Sequence, residues 1–333
     1  MPDIGTRDWS PAAIMRTSGA YWASFALHSG VELGIFTTLN NVALSAAELA
    51  ERLGCDPRGT EALLTALTAM ELLKKSGDTY SAAPAARRYL SADSRTYLGH
   101  IVLHHSHLVP AWSRLSEAVR GGAPTRDARF REPDEREHFL LGMFNVACGQ
   151  AEIVAGALDL TGCTQLLDLG GGPGTYAVRF CLKNPQLNAV IYDLPTTRPV
   201  AESIVARFGL SDRIVFTEGD FLLDPIKGIH DVVWISQVLH SMDDETSAAL
   251  LHKAAGVLAP GGRIFIQEFL LNDAKDGPEH PALFGCNMLA GTEKGKAYTE
   301  AEVRGLLKSA GAKSIFRIAL ELPQGCAILA GRF

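Results

Sequence analysis

Apolar and polar positions follow helical spacing through the first part of the chain, from residue 11 to residue 90. Tyr21, Phe25 and His28, followed by Val31, Leu33 and Ile35, predict a helix running into Gly34. In LSAAELAERLGC, Ser45 and Glu48 stand at the spacing of a capping box, where hydroxyl and carboxylate satisfy free backbone N–H groups reciprocally, and Gly54 ends the helix. A strongly apolar helix is expected from Thr60 to Leu73. In the following KKSGDTYSAA, Gly77-Asp78 between two β-prone runs predicts a hairpin. Helix, turn, helix and hairpin in that order describe a winged-helix domain. Residues 92–160 read as connecting helices that carry His100, His104, His105, His107, Trp112, Phe139, Met143 and Phe144.

From Gln165 the texture changes. Short apolar runs (QLLDLG, NAVIYDL, RIVFTEGD, HDVVWIS, RIFIQEFL, KSIFRIAL and CAILAG) alternate with amphipathic segments. Strands alternating with helices predict a doubly wound α/β sheet, and the last two runs are close enough to close it as an antiparallel hairpin. The expected division is residues 1–92, 93–160 and 161–333.

Composition narrows the possibilities. The 333 residues include 31 Lys+Arg and 37 Asp+Glu, a net charge of −6, which speaks against a phosphate backbone as the main partner. The would-be recognition helix, Thr60 to Leu73, holds Glu61 and Glu71 but no Lys or Arg. It therefore lacks the cations that contact phosphates and read guanine. The N-terminal domain is expected to pack on protein, as a dimerisation module. Six cysteines without a CxxC pair predict free thiols in a reducing compartment, and MPDIGTRDWS is not patterned as a secretory signal. The apolar stretch Thr17–Val31 is too short to span a bilayer. These features predict a cytoplasmic homodimer with no nucleic-acid or membrane partner. No Cys or carboxylate set completes a metal site around His104, His105 and His107, so no metal is expected.

The strongest local signal is Leu166-Leu167-Asp168-Leu169-Gly170-Gly171-Gly172-Pro173-Gly174, between a predicted strand and helix. A dinucleotide fingerprint counted from Gly170 and Gly172 requires glycine at Thr175; Gly174 comes one residue early, and Pro173 removes an N–H that a pyrophosphate would use. Asp168 sets an anion beside the turn, which suits a cationic ligand. Asp193, at the end of the next strand, can accept both hydroxyls of a ribose. After the third strand, Asp220 can accept from an exocyclic amine and Phe221 can flank a base. Singly, Asp193 and Asp220 read equally as turn residues and Phe221 as core. In order at three successive strand ends, they describe a pocket for a positively charged, adenosine-containing molecule.

DLGGGPG, YDLP, GDF, LHSMDDE and LAPGGRIFIQE, in this order, resemble the class I S-adenosylmethionine-dependent O-methyltransferases of the caffeic acid and hydroxyindole type. The resemblance covers nearly the whole chain. It implies a Rossmann-like seven-stranded sheet with an N-terminal winged-helix dimerisation domain. It places S-adenosyl-L-methionine, and its product S-adenosyl-L-homocysteine, against Asp168, Gly170, Gly172, Asp193, Leu194, Asp220, Phe221, Ser236 and Gln237. Within that assignment Gly170 and Gly172 approach the methionine part, Asp193 the ribose, and Asp220 with Phe221 the adenine. It also implies His240 as general base and Glu268, read as ending its strand, as the acid that orients it.

The sequence departs from that family twice: Ala297 stands where a second acidic partner belongs, and Met242 where a tryptophan follows the histidine. The acceptor is expected to be a small, flat, hydrophobic hydroxyl compound. Its pocket candidates are Phe139, Met143, Phe284 and Met288, with Trp112 and His104 behind them. Carbon methylation, a cofactor-dependent reaction without methyl transfer, and a winged-helix regulator sensing S-adenosylmethionine are the rival readings.

Overall fold

The computed structural model describes residues 9–125 and 133–333. They form two compact units that divide between His107 and Leu108.

The first unit contains α1 (Pro11–Gly19), α2 (Tyr21–Glu32), α3 (Ile35–Thr38), β1 (Leu44–Ser45), α4 (Ala46–Leu53), α5 (Pro57–Ala69), β2 (Leu73–Ser76), β3 (Thr79–Ala82), α6 (Pro84–Tyr89) and most of α7 (Gly99–Trp112). The capping box forms as expected: Glu48 Oε2 accepts from the Ser45 N–H at 2.7 Å, and Ser45 Oγ accepts from the Glu48 N–H at 3.3 Å. The hairpin also forms, pairing Ser76 with Thr79 so that Gly77-Asp78 is its two-residue loop. The helix expected over Thr60–Leu73 is displaced. Asp56 caps it by accepting from the Gly59 N–H at 2.8 Å, so α5 starts at Pro57. It ends at Ala69, because Glu71 turns into a left-handed conformation (φ +61°) and Leu73 pairs with Ala82 in the sheet. Ile35, Phe36, Leu39, Leu49, Leu64 and Leu67 form a fully buried core. Outside it, Met15, Tyr21, Trp22 and Phe25 of α1 and α2 are exposed, Trp22 to 71%.

The second unit adds α8 (Leu115–Gly121), α9 (Pro133–Ala157), β4 (Gln165–Leu169), α10 (Thr175–Lys183), β5 (Asn188–Asp193), α11 (Arg198–Arg207), β6 (Ile214–Glu218), β7 (His230–Ser236), α12 (Asp244–Gly256), β8 (Leu258–Leu271), α13 (Glu279–Gly291), β9 (Tyr298–Thr299), α14 (Glu300–Ser309), β10 (Ser314–Arg317) and β11 (Cys326–Arg332). The sheet runs β10-β11-β8-β7-β4-β5-β6, with the short β9 paired to β8. Strands β4 to β8 are parallel, and β11 is antiparallel to both β8 and β10. This is the doubly wound α/β architecture that the alternation of strands and helices predicts. Period-two alternation sends Leu166, Trp234 and Phe265 into one apolar layer and Leu167, Val233 and Ile264 into the other, so both faces need helical cover. By length and composition α9 could cross a membrane; in this unit its Leu140, Ala151, Val154 and Ala155 are buried, and the helix packs on α10.

Chain order places β4 centrally, with β5 and β6 following on one side and β7 and β8 on the other. At such a reversal the loops leaving two adjacent strands diverge, opening a crevice above the carboxyl ends of β4 and β7. Two expectations shift here. β10 stops at Arg317, short of Leu320. Glu268 does not end its strand, because β8 continues to Leu271 through its pairing with β9.

Candidate functional site

The loop between β4 and α10 opens into that crevice. Gly170 (φ +69°) donates its N–H to the Tyr192 carbonyl at 2.8 Å, and a Cβ on it would stand 2.7 Å from Val238 Cγ2. Gly172 (φ +52°) differs: a Cβ there would meet nothing, so its backbone borders open space. The Gly172 N–H is fixed from below by Asp193 Oδ2 at 2.8 Å. Asp193 Oδ1 also accepts from the Leu194 N–H at 2.7 Å and from Thr197 Oγ1 at 3.1 Å. Three donors therefore order the Asp193 carboxylate, which retains one of its roughly four acceptor directions.

Asp168 is buried, 1% exposed, and accepts from the Ala177 N–H in the first turn of α10 at 3.2 Å. Burial pushes its pKa up to about 7; the helix N–H opposes that shift and the nearby Asp193 adds to it. Burial raises the Asp193 pKa as well, against its three donors. Two carboxyl groups whose charged forms are both disfavoured are stabilised by a cation placed between them and the loop.

Beyond β6, Asp220 and Phe221 sit in a tight turn in which Asp220 Oδ1 accepts from the Leu222 N–H at 2.8 Å. Phe221 lies 3.5 Å from where a Gly170 Cβ would be, so it borders the same crevice. At the end of β7, Gln237 is forced into a left-handed backbone conformation (φ +57°), and its N–H reaches the Gln267 carbonyl at 2.9 Å. Gln267 Nε2 donates to Tyr176 Oη at 2.7 Å. The amide oxygens of Gln237 and Gln267 are buried without a partner among the described residues. This corner lacks donors, which the ammonium of a methionine group would supply.

The turn after β7 carries His240. Its Nδ1 lies 2.9 Å from Glu268 Oε2, and its backbone N–H donates to Glu268 Oε1 at 3.3 Å. Glu268 is 1% exposed, inside β8 rather than at a strand tip. A carboxylate on Nδ1 fixes the proton there and leaves the Nε2 lone pair as acceptor. Phe284 of α13 meets the imidazole in a T-shaped contact, with centroids 4.8 Å apart at 84°. The His240 carbonyl accepts from the Lys296 N–H at 2.9 Å, and Tyr298 Oη, buried beside Ser247, donates to the Met242 carbonyl at 3.1 Å. The histidine turn is thus held on both sides.

Of the other acceptor candidates, Met288 is buried one helical turn beyond Phe284 on α13. Phe139 and Met143 stand half-buried on α9, whose main packing is on α10. Trp112 Nε1 donates to Asn287 Oδ1 of α13 at 2.8 Å. Ala297 packs against Gly285, whose Cβ would approach the Ala297 Cβ to 3.4 Å, so the α13 backbone comes close where the resemblance calls for a carboxylate. Sequence reasoning missed Tyr176, Gln267, Thr197 and Tyr298: isolated polar residues in apolar or helical runs carry no motif, and only their convergence identifies them.

The open backbone at Gly172, the buried Asp168 with the half-buried Asp193, and the donor-poor corner fit a cationic nucleoside bearing a methionine group. Comparisons with known proteins agree. Residues 112–313 match the O-methyltransferase domain family, and residues 15–92 match the O-methyltransferase dimerisation domain. The chain is 33% identical over 328 residues to a 3-hydroxy-5-methyl-1-naphthoate 3-O-methyltransferase of Streptomyces sahachiroi, covering 96% of this chain and 95% of that one. It is 34% identical over 326 residues to a tetracenomycin polyketide synthesis 8-O-methyl transferase of Streptomyces glaucescens, covering 96% of both. The structure of human N-acetylserotonin methyltransferase in complex with S-adenosylmethionine superposes with a TM-score of 0.87 at 25% identity, over 98% of this chain and 99% of that one.

Proposed function

The chain belongs to the O-methyltransferase family, and from that premise we propose that His240 deprotonates the hydroxyl of a flat aromatic or conjugated acceptor in the crevice above β4 and β7. It is an S-adenosylmethionine-dependent enzyme acting on hydroxyl groups of small molecules. When bound, the cofactor supplies an electrophilic methyl carbon on a sulfonium. Gly170, Gly172, Asp168, Ser236 and Gln237 would hold its methionine part, Asp193 and Leu194 its ribose, and Asp220 and Phe221 its adenine.

One observation carries the base assignment: His240 Nδ1 is held 2.9 Å from a buried carboxylate, with Nε2 left as the acceptor. A phenol with a pKa near 10 is only about 0.1% ionised at pH 7, so a base at its oxygen raises the reactive fraction. Glu268 keeps the imidazole in the accepting tautomer and stabilises the imidazolium that forms. Phe284 fixes the plane of the ring and, with Met288, offers an apolar wall to a flat acceptor. The two bacterial relatives act, by name, on a hydroxynaphthoate and on a tetracenomycin polyketide. A fused-ring phenol is the acceptor class we assign to this chain.

We read residues 1–92 as a winged-helix dimerisation domain, residues 93–160 as the linking region, which supplies acceptor-pocket residues, and residues 161–333 as the cofactor-binding domain. Exposed Met15, Tyr21, Trp22 and Phe25 within or beside the dimerisation match supply an apolar face for a homodimer. Six free thiols suit a cytoplasmic setting.

The test is His240→Ala with a labelled methyl donor and a panel of polycyclic phenols. Turnover should fall at least about 100-fold while S-adenosylhomocysteine affinity stays within about twofold. Unchanged turnover rejects the base. Nuclear magnetic resonance of the product locates the methyl, and a methyl on ring carbon rejects the oxygen acceptor.

A further inference from the structure

The segment from Asp220 to Asp224 lies outside every helix and strand, so its backbone polar groups need other partners. Two of its N–H groups are met by aspartate side chains, Asp224 Oδ2 accepting from the Asp220 N–H and Asp220 Oδ1 from the Leu222 N–H, both at 2.8 Å, while the Asp220 carbonyl accepts from the Leu223 and Asp224 N–H groups at 3.0 and 2.7 Å. The carbonyls of Phe221, Leu222 and Asp224 instead converge on one point. Lys253 Nζ, from the last turn of α12, occupies that point and donates to them at 3.0, 2.8 and 3.2 Å. An ammonium has three protons and accepts nothing, so the three carbonyls match its full donor capacity.

Beside the segment lies an open depression of about 300 Å³, bordered by Phe221, Leu222, Leu250 and Lys253 and by the charged Glu245 and Lys294. Phe221 packs against the apolar layer of Val238 and Leu250, and the carbonyl clamp holds the backbone that presents it. Without the ammonium, three carbonyl dipoles would face one another, and the segment would turn them toward water, carrying Phe221 and Asp220 with them.

We propose that Lys253 is a positioning residue for the cofactor's adenine, acting through the backbone of Asp220–Asp224. The proposal rests on the assignment of Asp220 and Phe221 to the adenine made above. Lys253 touches no reacting atom, so its contribution is to affinity and base selectivity rather than to the chemical step.

The experiment titrates the full chain calorimetrically with S-adenosylhomocysteine and with its hypoxanthine analogue, S-inosylhomocysteine. Lys253→Met retains the stem and removes the donors. It should raise the S-adenosylhomocysteine Kd at least about tenfold, reduce the discrimination against hypoxanthine, and leave kcat at saturating cofactor within about twofold. Lys253→Arg, which restores a multidentate donor, should return the Kd to within about threefold of wild type. Asp220→Ala separates the two layers of the argument. If Asp220→Ala weakens binding tenfold and Lys253→Met does not, the lysine's role is refuted while the adenine assignment stands. If Asp220→Ala leaves the Kd unchanged, the adenine assignment fails and the lysine's role with it. A fall in kcat equal to the loss in affinity, or unchanged discrimination against hypoxanthine, overturns the positioning role in favour of plain stabilisation. Should Lys253→Met not fold, Lys253→Leu, which likewise lacks donors, is judged by the same values.

Discussion

Glu268→Gln isolates the charge behind His240 without disturbing the packing. The side chain is 2% exposed and accepts twice from one residue, at 2.9 Å from Nδ1 and 3.3 Å from the backbone N–H of His240. Glutamine has the same shape, and its oxygen can still accept from Nδ1–H and retain the tautomer, at the cost of the weaker 3.3 Å bond, because its amide NH2 then faces the His240 backbone N–H. What disappears is the attraction between a carboxylate and the imidazolium that forms as the acceptor proton arrives. Two unit charges 4 Å apart interact by about 4 kcal/mol at an effective dielectric constant of about 20. With half the charge developed in the transition state, the loss is about 2 kcal/mol, or about 30-fold in the rate of methyl transfer. Single-turnover rapid quench with labelled S-adenosylmethionine reads that step directly, free of product release. Cofactor affinity should not move, because both Glu268 oxygens are engaged by His240 and Glu268 alternates with Gln267 along β8. A single-turnover rate within twofold of wild type would falsify the carboxylate's role; a parallel loss of cofactor affinity would refute its confinement to the base.

Asp168→Asn should change how stability depends on pH. The folded-state pKa is raised from 3.8 to about 7, so between those values the folded chain holds a proton that the unfolded chain has lost. Stability from this group is therefore greatest at acid pH and declines as pH rises through the window, by up to about 1.4 kcal/mol per unit. Relative to wild type, the Asn variant should gain Tm from pH 4 to pH 7; a difference independent of pH contradicts the assignment. Ala297→Glu should bring no gain in turnover and should lower Tm, because the added carboxylate meets the α13 backbone at Gly285 and displaces Phe284 from His240. A several-fold increase in kcat would show that the site accommodates a second acid. Trp22→Glu sets a charge on the exposed face of α2 and should shift sedimentation from dimer to monomer, while a dimer of unchanged affinity would exclude that face.

Local sequence rules account for much of the fold. Ser45 and Glu48 announce α4, Gly77-Asp78 announces the hairpin, and each apolar run from Gln165 onward becomes a strand. Errors lie where a boundary is set by something other than hydrophobicity. α5 begins at Pro57 because Asp56 caps it, three residues before the apolar pattern starts at Thr60. Glu268 looked like a strand tip because nothing in IFIQEFL reports that β9 extends the pairing to Leu271. In the site, strand ends and a glycine loop fix the positions of Asp168 and Asp193 along the chain, whereas only the resemblance singles out His240. Lys253 was not legible, since one lysine on an amphipathic helix resembles any solvated cation until three carbonyls converge on it. The places of Phe139 and Met143 depend on how α9 packs, and side-chain periodicity does not encode that.

A crystal structure of the chain with S-adenosylhomocysteine and a bound fused-ring phenol tests the central claim most directly. The account predicts the acceptor hydroxyl within about 2.6–3.2 Å of His240 Nε2, with Nδ1 still on Glu268. An acceptor oxygen bound away from His240, with Nε2 facing protein or solvent, contradicts it.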